Sequence, residues 1–175
     1  DHGVDLVLVG RDPERLSGMF PDAAVTGYDD LHNALVGCNA ILHLAVLNND
    51  SGASLQDMRA INVDLPKKVA DAAHDAGVGV FMNATTIHAL DPRRADAYSR
   101  TKRDGEAALR DSPRIRIVQL RLPPVYGERF GGRLGSLNRL PALFREPVSR
   151  LVGALTPIVH AERIARTVVE IMDGG

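Results

Sequence analysis

Apolar runs alternate with amphipathic ones along most of this chain. Val4 to Val9 is rich in valine and leucine and closes on Gly10-Arg11-Asp12-Pro13. That pattern predicts a buried strand, a turn, and a short helix from Pro13 to about Met19. A weaker strand is expected near Ala24 to Thr26, then a helix from Asp30 to Val36 stopped by Gly37. Ala40 to Val46 is almost unbroken apolar sequence, and Asn48-Asn49-Asp50-Ser51-Gly52 follows as a polar loop. A long helix is predicted from about Leu55 to Ala76, with Gly77 as its stop. Pro66 lies inside it and should kink or divide it. Val78 to Ala84 reads as another buried strand, Asp96 to Leu109 as a helix, and Ile115 to Leu120 as a further strand.

Strands that are apolar throughout and alternate with helices predict an α/β fold, a doubly wound parallel sheet covered on both faces. In such sheets ligands bind beyond the carboxyl ends of the strands. Arg11, Ala45, Thr86 and Pro123 each fall just past a predicted strand. They are expected to converge on one edge of the sheet.

Composition adds bounds. The 175 residues suit one domain, 45% are hydrophobic and 25% charged, and the net charge is -1. Such a balance gives no field that would recruit nucleic acid or an anionic membrane. Cys38 is the single cysteine, so no internal disulfide can form. No apolar run reaches membrane-spanning length and no signal-peptide pattern opens the chain, which makes the cytoplasm the default compartment.

The candidate chemistry centres on Tyr98-Ser99-Arg100-Thr101-Lys102. Residues four apart share a helix face, so Tyr98 and Lys102 should point the same way. A phenol titrates near ~10 in water, and an adjacent ammonium favours the phenolate. Tyr98 would then serve as a general acid or base near neutrality. Thr86 could hydrogen-bond the same substrate oxygen. On spacing alone, a surface tyrosine beside a solvated lysine is an equal reading.

Further stretches narrow this. Gly37-Cys38-Asn39-Ala40-Ile41-Leu42-His43-Leu44-Ala45, Ile61-Asn62-Val63-Asp64, Phe81 to Ile87 with its Thr85-Thr86 pair, Tyr98 with Lys102, and Leu120 to Gly127 occur in this order. Val159 to Ala165 follows them. Together they resemble the extended or atypical short-chain dehydrogenase/reductases of the NAD-dependent epimerase/dehydratase family, across most of the chain. The resemblance implies a Rossmann-like fold binding NADP or NAD, with Thr86, Tyr98 and Lys102 as a catalytic triad. Tyr98 would exchange a proton with a substrate hydroxyl or carbonyl as hydride passes to or from the nicotinamide. Lys102 would hold the nicotinamide ribose and depress the tyrosine pKa. By the same carry-over Asn62 lies near that ribose, Leu44 and Ala45 run past the cofactor, and Leu122 and Pro123 close over the nicotinamide.

Departures from the pattern matter too. The family's first strand and Gly-rich pyrophosphate loop have no counterpart, and Asp1-His2-Gly3-Val4 looks like the turn into its second strand. The chain therefore reads as a portion of a longer protein lacking the first βα unit. Residues 1–128 are expected to form the NAD(P)-binding part, and 129–175 a small substrate-binding segment with a return to the core. An acidic residue ending the second strand would suit NAD, whereas Arg11 suits the 2′-phosphate of NADP, the favoured cofactor. Arg129, Arg133, Arg139, Arg145 and Arg150 oppose Glu146 alone, which suits phosphate. Gly131-Gly132-Arg133-Leu134 resembles a segment of sugar-nucleotide members, so a nucleotide-diphosphate sugar is a candidate substrate. The expected partner is a small molecule, and a homodimer is compatible with the resemblance. His43 reads as a satisfied core imidazole, His88 and His160 have no Cys, His or Asp neighbours at metal-ligand spacing, and no metal site is expected. Two classes stay open at this point: an oxidoreductase or epimerase, and a non-catalytic NAD(P)-binding scaffold or sensor of the same fold.

Overall fold

The computed structural model describes residues 3–110, 115–127 and 157–174, together with Leu143 and Pro147. Every strand pair among them is parallel. β1 (Val7–Gly10) pairs with β2 (Ala24–Gly27); β3 (Ala40–His43), β4 (Val80–Thr86) and β5 (Arg116–Leu122) form a second ladder in that order. β6 (Val125–Tyr126) pairs with β7 (Val159–His160). β3 ends at His43, three residues short of the apolar run, whereas β4 and β5 extend two residues further than the run of aliphatic side chains suggested. Leu122 thus lies within β5, and Pro123 follows it.

The helices are α1 (Pro13–Met19), α2 (Leu31–Leu35), α3 (Leu55–Arg59), α4 (Leu65–Asp75), α5 (Ala97–Arg110) and α6 (Ala161–Met172). Local sequence explains their ends. Asp12 caps α1 by accepting from the Arg15 amide at 2.9 Å, with Pro13 in the first turn. Ser54 and Asp57 form a reciprocal capping box on α3. Gly37 and Gly77 take φ of 79° and 75° just past α2 and α4, a left-handed conformation costly for residues with a Cβ.

The long helix expected from Leu55 to Ala76 is divided. Ala60–Asp64 is a π-helical segment, and the Leu65 amide reaches back five residues to the Ala60 carbonyl. Pro66 explains the break: it lacks the N–H that would bond the Asn62 carbonyl in a regular α-helix.

One face of the ladders carries the core. Leu31 and Leu35 of α2, Val69, Ala70 and Ala73 of α4, and Leu109 of α5 pack on Phe81 of β4, with Val9, Ile41 and Ile117 from the neighbouring strands beside them. Phe81 and Leu109 are fully buried, each contributing about 2–3 kcal/mol of apolar transfer free energy. This packing presses α5 onto β4 and β5 and so fixes where its polar residues meet the sheet.

Candidate functional site

The start of α5 is fastened before its side chains reach the sheet. Asp96 Oδ1 accepts from the Ser99 amide at 2.9 Å and from Asn49 Nδ2 at 3.1 Å, and Asn49 Oδ1 accepts from the Tyr98 amide at 3.2 Å. Desolvation opposes ionisation of Asp96, but these bonds, the nearby Ser99 hydroxyl and the Arg94 charge outweigh it and hold the carboxyl at about 2.

From that anchor the helix carries Tyr98 and Lys102 over the carboxyl end of β4. The Tyr98 hydroxyl lies close enough to Thr86, the last residue of the strand, for the threonine hydroxyl to lower its pKa. Thr86 Oγ1 also accepts from the His88 amide at 3.2 Å, which fixes its rotamer. Lys102 is 4% exposed, and its Nζ donates to the Ala84 carbonyl at 2.9 Å. The three residues singled out by sequence are therefore brought together at the strand edge.

Their electrostatics correct one expectation. The Tyr98 pKa is raised, not depressed: burial dominates, the Thr86 hydroxyl pulls it down, and the Asp96 charge pushes it up. Lys102 turns toward a backbone carbonyl, and its charge does not offset the burial of the phenol. Burial also lowers Lys102 to about 8, against the field of Glu106, which supports the charge. At neutral pH the phenol keeps its proton and the amine remains mostly charged.

His43, at the end of β3, stacks on Phe81 with ring centroids 5.8 Å apart. Burial, then the Lys102 charge, drives its pKa down to about 4, so the imidazole is neutral. It is the core residue expected, but not a satisfied one: Nε2 is buried without a hydrogen-bond partner among the described residues.

Asn62 is placed differently from a ribose ligand reaching outward. It is 3% exposed; its Nδ2 donates to the Leu47 carbonyl at 2.8 Å and to Thr101 Oγ1 at 3.0 Å, and its Oδ1 accepts from the Leu47 amide at 3.0 Å. Both amide protons are spent on tying the segment after β3 to α5. Ala45 lies on the segment it holds. Leu44 is 59% exposed, while Leu122 and Pro123 are half-buried at the end of β5. Arg11 is exposed where β1 ends, and its charge reaches Tyr28, whose hydroxyl burial pushes up and Arg11 pulls down.

Sequence reasoning missed Glu106 and Arg121. Glu106 is 6% exposed and takes Arg121 Nε at 3.2 Å to both oxygens and Nη2 at 2.6 Å to Oε2. The signal was available: Glu106 is one helical turn beyond Lys102, as Lys102 is beyond Tyr98. The arginines from Arg129 to Arg150, with Glu146, and Gly131-Gly132-Arg133-Leu134 lie outside the described residues. Among the described residues no helix is long and apolar enough to cross a membrane, and no cluster of three or more His, Cys, Asp or Glu side chains could hold a metal ion.

Parallel strands with intervening helices, and a Thr-Tyr-Lys group at their carboxyl edge, define a Rossmann-like class. Residues 1–151 match the model of the NAD dependent epimerase/dehydratase family, and the chain belongs to that family. Among solved structures, the Bordetella bronchiseptica enzyme WbmH in complex with NAD+ superposes with a TM-score of 0.70 at 21% identity, over 98% of this chain and 65% of that one. MoeE5 in complex with UDP-glucose and NAD gives 0.61 at 23% identity, over 79% of this chain and 52% of that one. UDP-glucuronic acid 4-epimerase from Bacillus cereus in complex with NAD gives 0.61 at 19%, over 74% and 50%. At these identities the likeness shows the fold. The chain spans 50% to 65% of the length of these three structures. No curated protein matches it at a significant level.

Proposed function

We propose that this chain belongs to a NAD(P)-dependent epimerase, dehydratase or reductase that acts on a hydroxyl or carbonyl of a nucleotide-diphosphate sugar. The observation carrying this reading is the meeting of Thr86, Tyr98 and the buried Lys102, its Nζ on the Ala84 carbonyl, at the carboxyl end of β4. Family membership and the nucleotide sugars named with similar folds, UDP-glucose and UDP-glucuronic acid, support the substrate class.

The residues present fit a dinucleotide along this edge. Lys102 offers a charged donor whose only hydrogen bond among the described residues is to a backbone carbonyl, and the exposed Leu44 with Ala45 offers an apolar rim after β3. Leu122 and Pro123 would cover the nicotinamide from β5. When bound, the dinucleotide accepts or donates hydride at the sugar carbon.

The chain's own part is proton handling. With its pKa raised, Tyr98 enters as the protonated acid able to give its proton to a substrate carbonyl oxygen. In the oxidative direction the phenol first gives its proton to solvent, Thr86 and the Lys102 charge stabilise the phenolate, and Tyr98 then takes the substrate hydroxyl proton. Thr86, held by the His88 amide, orients the same oxygen. Asn62 acts indirectly, by fixing the segment that carries Ala45. Residues 1–128 supply this cofactor-binding part, and 129–175 the substrate-binding segment. Arg11, just past β1, would meet a 2′-phosphate, which supports NADP, although NAD is the cofactor named with the similar folds.

The test is to incubate the full-length protein with NAD or NADP and, separately, UDP-glucose and UDP-glucuronic acid, and to follow sugar products by NMR. Epimerised, dehydrated or reduced sugar supports the reading. Cofactor binding without any sugar or carbonyl turnover would favour the scaffold alternative.

A further inference from the structure

Tyr98, Lys102 and Glu106 are spaced by four along α5 and face the sheet together. Among the described residues, only the last of them has an ionic partner. Arg121 grips Glu106 through three hydrogen bonds of 2.6–3.2 Å, and in β5 it lies opposite Thr85 in register. Such a side-on guanidinium–carboxylate pair fixes both position and charge. The Glu106 side chain is 7% exposed, so without Arg121 it would be a buried, unpaired carboxyl that tends to take a proton.

Lys102, one turn earlier, has the opposite problem. Its ammonium is buried and has the neutral Ala84 carbonyl as hydrogen-bond acceptor. Tyr98 and Glu106 share its helix, His43 faces it from β3, and Arg121 stands behind Glu106 on β5. β4 contributes the Ala84 carbonyl and the uncharged Asn83 and Thr85. His43 is neutral and Tyr98 is protonated, so Glu106 is the anion whose field supports the ammonium.

We propose that Glu106, fixed by Arg121 one helical turn beyond Lys102, is a positioning residue that keeps the buried Lys102 ammonium charged where the Ala84 carbonyl holds it, at the carboxyl edge of β4. This rests on the proposed role of Lys102 in turnover, and it adds a requirement that the Thr-Tyr-Lys group alone does not express. A plain structural ion pair would anchor α5 and do nothing else.

The experiment is the pH profile of kcat for full-length wild type, E106Q and E106D with cofactor and a UDP-sugar that wild type turns over. Glutamine keeps the shape and one acceptor for Arg121 but removes the charge. In E106Q the alkaline limb should move down by about one pH unit, a loss of ~10-fold at high pH with little change near about pH 6 and little change in KM. E106D, which keeps the charge, should restore the limb. A uniform loss at every pH that follows a fall in Tm, or a profile like wild type, would overturn the proposal. If E106Q does not fold, E106Q/R121L removes both charges and leaves no ion buried alone; a smaller shift in the same direction is expected there, because the opposing Arg121 charge goes too. If wild type turns over no sugar, the function reading fails by itself. The proposal is then read from the 13C-lysine NMR titration of Lys102, assigned with K102R, whose midpoint must be lower in E106Q.

Discussion

Gly105 of α5 lies directly against the carbonyl oxygen of Asn62, so that a Cβ there would run into it. Pro66 leaves that carbonyl without its regular helical donor, the π-helical segment turns it toward α5, and glycine lets the two backbones meet. Both colliding groups are backbone or bonded to it, so neither can swing away. Gly105→Ala should destabilise by about 2 kcal/mol by overpacking, even after the ~1 kcal/mol that alanine gains in helix propensity. Urea denaturation checks the sign; a stabilised variant would show that the two elements are not in contact.

Asn62→Ala removes three hydrogen bonds at once and strands the Leu47 amide and carbonyl. The expected cost is about 3 kcal/mol. Hydrogen exchange should rise first around Ala45–Leu47, because that segment loses its tie to α5. Unchanged protection there would contradict the clamp.

Asp96 makes the start of α5 acid-sensitive. Its folded pKa, about 2, lies below the ordinary value of 3.8, so its contribution is complete above that ordinary value and is lost as pH falls toward 2. Amide exchange at Tyr98 and Ser99 should accelerate across that window. In Asp96→Ala the acid dependence should vanish and the helix should lose about 1 kcal/mol at neutral pH.

Arg11→Ala should weaken NADP binding by about tenfold and leave NAD binding nearly unchanged, since a 2′-phosphate is what the guanidinium would meet. Titration of both cofactors against the full-length protein measures this. Equal affinities before and after would assign Arg11 to the surface near Tyr28 alone.

The strands and helices were legible where side-chain pattern and stop residues agreed, as in α1, β4 and α5. The meeting of Thr86, Tyr98 and Lys102 was legible because four-residue spacing and the carboxyl-edge rule are both local or topological. The tyrosine pKa was not. Its direction depends on how deeply α5 beds on the sheet and on Lys102 turning to the Ala84 carbonyl, neither of which spacing encodes. Pro66 announced a break in the long helix but not its π form, nor that the Asn62 carbonyl would lie against Gly105 forty-odd residues away. The Glu106–Arg121 pair joins a helix to the next strand, and only the register of β5 on β4 brings its halves together.

The most direct test compares Tyr98→Phe with wild type in the full-length protein, measuring both cofactor affinity and turnover of a UDP-sugar. Phenylalanine keeps the ring and removes the proton held near Thr86. Turnover should fall by about 10²–10⁴-fold while cofactor affinity stays within about twofold. Turnover that survives in Tyr98→Phe would contradict the account.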